Sequence, residues 1–260
     1  MGSNPNPGVT INVLAMRLIT LNTWAGKLYP ELSRFIAGRS KSVDIFCFQE
    51  MLDGKGPMDS WEGAVPDLYD RMAEILPAFG GCVGEMYTTL GERLAIFASD
   101  KISVTDSGEM ELCEVREMEF EGRTFGVGSK LQWIGFMKDG RAFTVANVHG
   151  FWTPASKSDI PERLLQSERA LKFFADRGGE GILCGDLNLA ADTESVHMLE
   201  ARMRNLVIEH KVPTTRNRFT PEVAGRFADY IFISKGVREN SFEALQDEVS
   251  DHLPLLLDFD

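Results

Sequence analysis

Eight polar residues with side chains suited to metal-assisted hydrolysis stand where short apolar segments of the chain begin or end. In chain order they are Asn22, Glu50, His149, Asp186, Asn188, Asp229, Asp251 and His252. Carboxylate and amide oxygens are hard ligands that suit Mg²⁺ or Mn²⁺ and suit zinc poorly. Carboxylates brought together repel one another unless a cation lies among them. One such residue alone usually caps a strand or faces a turn, but the group indicates hydrolytic metal chemistry.

The apolar segments beside these residues have the length and continuity of buried strands. They cover residues 18–21, 45–48, 94–98, 143–148, 182–184, 230–233 and 255–257. Runs this short and wholly apolar are typical of strands buried on both faces. The first five polar residues follow a segment and the last three precede one. Strand ends and strand starts share one sheet edge when neighbouring strands are antiparallel, so we expect the eight residues to converge.

Helix-like stretches alternate with these strands. We predict helices over residues 32–37, 68–76, 160–176 and 195–203. Pro161 suits the first turn of the third helix, and Asp192 or Thr193 is the expected N-cap of the fourth. Residues 101–137 carry six glutamates between Glu109 and Glu121, which predicts exposed antiparallel strands. The alternation indicates one α/β domain with mixed sheets.

The composition is that of an acidic globular protein. The 260 residues include 27 Lys+Arg and 39 Asp+Glu, for a formal net charge of −12, and 43% are hydrophobic. This hydrophobic fraction excludes a mainly disordered chain. The acidic balance argues against nucleic-acid binding over a broad surface, because phosphate neutralisation needs Lys and Arg. Apolar runs stay short of the roughly 18–20 residues of a membrane helix, so we expect no membrane insertion.

Several motifs of other enzyme classes are missing from the sequence. It contains no HExxH or Cys/His spacing for zinc, no GxxxxGK loop, no strand–GxGxxG–helix unit and no GxSxG elbow. The sequence therefore gives no motif support for three enzyme classes: nucleotide-driven motors, dinucleotide oxidoreductases and serine hydrolases.

The cysteines and the N-terminal segment bear on compartment and domain boundaries. The four cysteines, Cys47, Cys82, Cys113 and Cys184, form no CxxC pair, and we interpret them as reduced thiols. With no signal peptide visible, we expect a cytoplasmic protein. Residues 1–12, rich in Gly, Asn and Pro, predict a flexible leader whose origin is open, with Met16 as an alternative start. Residues 13–260 then form a single domain, and no obligate protein partner is evident.

The eight residues lie in motifs that resemble those of the endonuclease/exonuclease/phosphatase superfamily, which includes deoxyribonuclease I. The motifs are LITLNTW, FQE, NVHG, GDLN, ADYIFIS and SDHLP, and they run from Asn22 to His252 in the family's order. The resemblance implies a four-layer α/β/β/α sandwich of two packed mixed sheets with helices on both outer faces. It also implies Mg²⁺-dependent hydrolysis of a phosphate ester by water, with Mn²⁺ able to substitute.

The resemblance implies a metal site built on three residues. Glu50 is expected to ligate the metal, and Asn22 and Asp251 to be ligands or to lie directly behind one. On its own, Asn22 could equally be a core amide bonded to backbone.

The resemblance also implies catalytic roles for the remaining five residues. Asp186 is expected to position or deprotonate the attacking water, and Asn188 to orient that water or the phosphate. These two residues share a face if the backbone between them stays extended. His252 should stabilise the phosphorane-like transition state, held by Asp229, and His149 should contact a phosphate oxygen. Asp229 alone could also be a simple strand-start cap.

The substrate is less constrained than the reaction. Residues 202–228 hold six basic and two acidic residues, a local net charge of 6 − 2 = +4, and Arg216 within them is a candidate phosphate contact. Trp24 and Trp152 follow Asn22 and His149 closely, so they could form an aromatic wall for a base or an apolar group. Either tryptophan could equally well be part of the hydrophobic core, and the basic residues could equally well lie on a solvent-exposed surface.

Three functions remain open at this point. We favour a small phosphate ester over a long duplex, because +4 in one segment is little for duplex DNA and the run of glutamates opposes a polyanion. A DNA or RNA nuclease of the same superfamily is the alternative. A catalytically dead relative that binds a partner is disfavoured, because none of the eight positions is missing. His197 and His210 match no motif and are expected at the surface.

Overall fold

The computed structural model describes residues 15–56, 62–221 and 225–260. The predicted leader over residues 1–12 lies outside the described residues. Within those ranges the strands are β1 (Met16–Asn22), β2 (Ile45–Met51), β3 (Phe79–Val83), β4 (Arg93–Ser99), β5 (Val104–Phe120), β6 (Arg123–Lys138), β7 (Arg141–His149), β8 (Glu180–Asp186), β9 (Arg204–Asn205), β10 (Asp229–Ile233), β11 (Glu239–Ala244) and β12 (Leu255–Phe259). The α-helices are α1 (Tyr29–Arg39), α2 (Leu68–Ile75), α3 (Pro161–Arg177), α4 (Glu194–Glu200) and α5 (Leu206–Glu209).

The strands form two mixed sheets. The first has the order β11-β12-β1-β2-β4-β3 and the second the order β5-β6-β7-β8-β10-β9. In each sheet one central pair is parallel, β1 with β2 and β7 with β8, and the neighbours of those pairs are antiparallel. The prediction of mixed sheets is confirmed.

The sheets pack face to face because side chains alternate along each strand. Leu18 of β1 and Cys47 of β2 lie in one buried cluster with Val145 and Ile182 of the second sheet. The intervening Ile19 lies in a separate cluster on the outer face of the first sheet.

Helices cover both outer faces. Leu32 and Ile36 of α1 pack in the cluster that contains Ile19, together with Leu68 and Met72 of α2. Helices α3 and α4 pack against the second sheet through residues that include Phe173 and Val196. The architecture is therefore the predicted four-layer sandwich. No helix in the described part of the chain is long and apolar enough to span a bilayer.

All four predicted helices are present, with bounds that differ by a few residues. Thr193, rather than Asp192, caps α4 by accepting a hydrogen bond from the backbone N–H of Val196. The prediction of exposed strands over residues 101–137 is right for β5 and wrong for most of β6. That strand is largely buried because it lies between β5 and β7 and contacts the first sheet. All four cysteines are free thiols.

Candidate active site

The register of the second sheet places three of the predicted residues side by side. His149 at the end of β7 pairs with Asp186 at the end of β8. Asp186 in turn pairs with Asp229 at the start of β10, because β10 runs antiparallel to β8. Their side chains therefore project from one edge of this sheet toward the first sheet. Each of the three is at least nine-tenths buried.

Asn22 joins the two sheets at this edge. Its Nδ2 donates to Oε1 of Glu50 at 2.8 Å and to Oδ2 of Asp186 at 3.2 Å. Its Oδ1 accepts a hydrogen bond from the backbone N–H of Trp24 at 2.9 Å. Both ends of the amide are thus engaged, and its N–H groups hold two carboxylates from opposite sheets at a fixed separation. This geometry suits a residue that positions Glu50 and Asp186.

A β-bulge turns Glu50 toward the site. Strict alternation along β2 would send Glu50 to the outer face, since Gln49 faces the second sheet and contacts Asn147 there. The pairing of β2 with β4 shifts register between Phe48 and Met51, and Glu50 has a φ of 56°. A left-handed φ at a non-glycine residue costs free energy and clusters at functional sites.

The turn after β8 depends on a glycine. Gly185 has a φ of 130°, and a Cβ there would lie 2.1 Å from the carbonyl oxygen of Val148. The backbone between Asp186 and Asn188 does not stay extended, because Asn188 has a φ of 54° and its backbone N–H donates to Oδ1 of Asp186 at 2.8 Å. The turn still brings both side chains to the site, where Nδ2 of Asn188 donates to the carbonyl of Gly150 at 3.1 Å.

Asp229 and His252 form a buried acid–imidazole pair. Nδ1 of His252 lies 2.8 Å and 2.9 Å from the two carboxylate oxygens of Asp229, so the proton on Nδ1 faces the carboxylate. Nε2 then points to Oδ2 of Asp186, 3.6 Å away. Thr215 fixes the start of β10, since its Oγ1 accepts from the backbone N–H of Asp229 at 3.3 Å. The pair therefore presents one imidazole nitrogen to the centre of the site.

His149 faces the same carboxylate oxygen from the other side. Its Nε2 lies 3.7 Å from Oδ2 of Asp186 and 4.0 Å from Oε1 of Glu50. Its Nδ1 lies 2.6 Å from the hydroxyl of Tyr87, a residue that the sequence reasoning did not single out. Burial lowers the pKa of His149 to about 4, so the ring is neutral at physiological pH.

The Glu50 side of the site fits a divalent cation. Oε2 of Glu50 is buried and has no hydrogen-bond partner among the described residues. Burial raises the pKa of Glu50 well above its ordinary value, and the nearby carboxylates of Glu92 and Asp251 raise it further. A buried carboxylate oxygen without a partner, next to other hard oxygen donors, matches the requirements of such an ion. Glu50 and Asp251 would hold the ion, with Asn22 behind them.

Glu92 is a site residue that the sequence reasoning missed. It is 96% buried (4% exposed), and burial raises its pKa to about 7. It stands directly before the start of β4, and Asp229 is likewise at a strand start, as the first residue of β10. The rule that selected polar residues at strand starts could therefore have found it.

Lys157 is the second missed residue. Its Nζ donates to Oδ1 of Asn188 at 2.6 Å, and burial lowers its pKa to about 8. Burial alone would raise the pKa of Asp186, but His252, Lys157 and their cationic neighbours bring it well below the ordinary range. Nothing in the type or spacing of a lysine within a polar loop separates it from a solvated one.

Of the three residues predicted to bind substrate, Arg216 and Trp24 lie at the site and Trp152 does not. Arg216 lies in the site, with Nη1 2.5 Å from Nε2 of His252 and 3.5 Å from Oδ2 of Asp251. Trp24 lies next to Asn22, and its ring centroid is 6.4 Å from that of Phe219. Both rings are partly exposed, so they can form a wall beside Asn22.

Trp152 and two arginines of the basic segment have their partners outside the site. The Trp152 ring packs between Phe120 and Phe125 at the tip of the β5–β6 hairpin, at 5.4 Å and 5.9 Å between centroids. In the basic segment, Arg204 pairs with Glu209 and Glu239, and Arg218 pairs with Glu248. His197 and His210 are exposed, as expected.

Comparison with known proteins agrees with this architecture. A model of the Endonuclease/Exonuclease/phosphatase family matches residues 9–252. A sequence search among curated proteins finds no match. An endonuclease/exonuclease/phosphatase family protein from Bacteroides thetaiotaomicron is 19% identical, with a TM-score of 0.71 over 95% of this chain and 97% of that one.

Two further solved structures share the fold at similar identity. A mannosyl-6-phosphatase of Bacteroides thetaiotaomicron is 18% identical, with a TM-score of 0.70 over 94% of this chain and 99% of that one. The human Nocturnin catalytic domain with bound sulfate anion is 18% identical, with a TM-score of 0.65 over 97% of this chain and 95% of that one. The chain belongs to the endonuclease/exonuclease/phosphatase family.

Proposed function

We propose that the protein is a Mg²⁺-dependent hydrolase that cleaves a phosphate ester with an activated water. The observation that carries the proposal is the meeting of three groups at Oδ2 of Asp186. Nε2 of His252 and Nε2 of His149 lie 3.6 Å and 3.7 Å from it, and Asn22 ties it to Glu50. A space bounded by two imidazoles, a carboxylate and a cation site is what phosphoryl transfer to water needs.

The cation contributes charge to the phosphate side of this space. Bound by Glu50 and Asp251, Mg²⁺ would act as a Lewis acid and withdraw electron density from the phosphate oxygens. The unpartnered oxygen of Glu50 supports this assignment. Mn²⁺ prefers similar ligands and is expected to substitute.

The water lies on the Asp186 side in this proposal. The pKa of Asp186 lies well below its ordinary range, so this carboxylate is ionised throughout the neutral range and is a weak base. We therefore assign Asp186 to accepting a hydrogen bond from the water and orienting it, with Asn188 beside it. His149, neutral and protonated on Nε2, donates to a phosphate oxygen. His252, held by Asp229, stabilises charge on the phosphoryl oxygens as the bond to water forms.

A small substrate is favoured by the charge of the protein. Strand β5 exposes several glutamates, including Glu114, Glu117 and Glu119. With the net charge of −12, these carboxylates oppose the approach of a long polyanion. Arg204 and Arg218 are held in ion pairs, and Arg216 alone among the described basic residues of segment 202–228 contacts the imidazole of His252.

A nuclease is the second candidate, and one observation favours it. Trp24 and Phe219 form a partly exposed aromatic wall beside Asn22, on which an unpaired base could stack. A nuclease should lose activity steeply as salt rises, because it must displace counterions from the phosphates. Cleavage of single-stranded, duplex and abasic DNA over a series of salt concentrations tests this candidate.

The principal test is phosphoester hydrolysis with defined metals. Purified protein is assayed on p-nitrophenyl phosphate and bis-p-nitrophenyl phosphate with Mg²⁺, Mn²⁺ or EDTA. We expect metal-dependent turnover that falls about 100-fold or more in Asp186→Asn and in His252→Gln. His197→Gln, an exposed histidine on α4, is the matched control. A loss of less than about tenfold in the two site variants would refute the assigned roles.

The free cysteines bear on the cellular location, and the names of two structurally similar proteins give weaker support to the proposed activity. The free thiols support a reducing compartment, so we also propose a cytoplasmic location. One structurally similar protein is named a mannosyl-6-phosphatase and another carries a bound sulfate. A catalytically dead relative would neither bind Mg²⁺ nor hydrolyse any ester in the assay above.

A further inference from the structure

We propose that Lys157 and Arg216 form a cationic pair that binds the second negative charge of a phosphate monoester, so that the site selects phosphomonoesters over phosphodiesters. This inference rests on the proposed function and names its substrate class. It concerns the two cations that contact Asn188 and His252. The chemical basis is that a monoester carries about −1.5 to −2 charges at neutral pH, whereas a diester carries one.

Lys157 is held in place by its backbone. Three consecutive carbonyls, those of residues 156, 157 and 158, accept hydrogen bonds. Arg163 donates through Nη1 to the first and third at 2.7 Å and 2.6 Å, and the backbone N–H of Ala190 donates to the second at 2.9 Å. Arg163 is itself fully buried. A surface lysine has no such support, so the ammonium group at Asn188 is a preorganised charge.

Arg216 is held from the opposite direction. Its backbone bridges antiparallel to that of His252, and the neighbouring Thr215 accepts a hydrogen bond from the backbone N–H of Leu253 at 2.9 Å. The side chain is 10% exposed. Its Nη1 contacts His252, but its Nε is buried without a hydrogen-bond partner among the described residues. A buried guanidinium with a free N–H is suited to a phosphate oxygen.

Lys157 and Arg216 approach Asp186 from two sides of the site. Nζ of Lys157 donates to Asn188, whose backbone N–H donates to Oδ1 of Asp186 at 2.8 Å. Nη1 of Arg216 contacts Nε2 of His252, which lies 3.6 Å from Oδ2 of Asp186. Asp186 therefore lies between the two cations, while Asp229 is bonded to His252 and Asp251 lies 3.5 Å from Arg216. A diester carries an alkyl or aryl group in place of the second charged oxygen, whereas a monoester dianion offers a charged oxygen to each cation.

A competing explanation makes Lys157 a positioning residue alone. Its Nζ fixes the orientation of the Asn188 amide, and loss of that contact would impair both substrate classes equally. The ratio of the two activities separates the explanations, because only charge recognition changes the ratio.

The kinetic experiment compares kcat/KM for p-nitrophenyl phosphate and bis-p-nitrophenyl phosphate with Mg²⁺ at pH 7.5, a value chosen about 1.5 units above the second phosphate pKa of about 6. We expect the wild type to prefer the monoester. Lys157→Met should lose about 100-fold on the monoester and less than about fivefold on the diester. Lys172→Met, on the exposed face of α3, is the matched control and should change neither. Equal losses on both substrates, or a wild type that prefers the diester, would overturn the inference.

A binding experiment separates this inference from the proposed function. Isothermal titration measures the Kd of inorganic phosphate and of dimethyl phosphate, with Mg²⁺ and with EDTA, for the wild type, Lys157→Met and Arg216→Met. We expect phosphate to bind at least about tenfold more tightly than dimethyl phosphate, and each variant to lose most of that difference. Such binding without turnover of any ester would refute the proposed function and leave dianion recognition standing. Equal affinity for the two ligands in the wild type would refute dianion recognition.

Discussion

The hydroxyl of Tyr87 lies 2.6 Å from Nδ1 of His149 and accepts a hydrogen bond from the backbone N–H of Glu50 at 3.2 Å. Burial raises the pKa of Tyr87 well above its ordinary value, so the hydroxyl keeps its proton. That proton faces Nδ1 of His149, which places the imidazole proton on Nε2, toward Asp186. One tyrosine therefore sets the tautomer of His149, the proposed phosphate contact, and holds the backbone of Glu50, the proposed metal ligand.

Replacing Tyr87 by phenylalanine should impair both functions. In Tyr87→Phe the Glu50 N–H and the His149 Nδ1 lose their partner while they stay buried. We expect kcat/KM to fall about tenfold and the free energy of unfolding to fall by about 1–3 kcal/mol. Nitrogen NMR of the imidazole should show a mixture of tautomers. Tyr69→Phe, on α2, is the matched control, and an unchanged tautomer in Tyr87→Phe would contradict the assignment.

A pair of buried amides joins the two sheets beneath the site. Nε2 of Gln49 donates to Oδ1 of Asn147 at 2.6 Å, and Nδ2 of Asn147 donates to the carbonyls of Phe48 and Ala95 at 2.9 Å and 3.3 Å. Asn147→Ala leaves these groups without partners in a dry interior. We expect a loss of about 2–3 kcal/mol in unfolding free energy by urea denaturation. Asn240→Ala, at an exposed amide, should cost less than about 0.5 kcal/mol.

The sequence could predict the elements that are buried on both faces, and little about the elements at the edges. Strands such as β2 and β8 are continuous apolar runs, so their ends, and the polar residues there, could be read directly. The edge strands β3 and β11 carry glycines or exposed polar residues and give no such signal. For the same reason the burial of β6 was missed, since it depends on which strands flank it.

The site residues divide in the same way. Asp186 and His149 could be predicted because each ends a recognisable strand within a motif. Lys157 could not, because its importance comes from Arg163, which binds the carbonyls on either side of it. Trp152 could not be assigned because its partners lie on a distant hairpin. Contacts between residues far apart in the chain are set by packing, which local pattern does not encode.

Removing the charge of Glu50 should abolish metal binding. It should also leave the metal-free protein as stable as the wild type or more stable. The unpartnered oxygen of this buried carboxylate is costly without a cation. We expect Mg²⁺ to raise the Tm of the wild type and to leave that of Glu50→Gln unchanged. Without metal, Glu50→Gln should be about 1 kcal/mol more stable than the wild type, or equal to it. Glu31→Gln, in a surface ion pair of α1, is the control and should keep the response to Mg²⁺.

Lys157 should impose an alkaline limit on monoester hydrolysis. Burial lowers its pKa from 10.5 to about 8. The ionisable groups that face it are Asp186, Asp229, Arg163, Arg216 and His149. The two carboxylates raise the pKa of Lys157 and the two arginines lower it, while His149 is neutral at this pH. Since kcat/KM reports the free enzyme, it should fall as pH rises through about 8, where Lys157 loses the charge that binds the dianion.

The folded state does not weaken in the same pH window on account of this residue. Between about pH 8 and 10.5 the unfolded chain holds the Lys157 proton and the folded chain does not, so stability rises with pH there. A fall in activity without a fall in Tm therefore marks titration of the site. Lys157→Met should have a lower kcat/KM with no decline near pH 8, measured on p-nitrophenyl phosphate with Mg²⁺. If the variant keeps the same alkaline decline, another group titrates there, and Lys157 does not bind the second charge of the substrate.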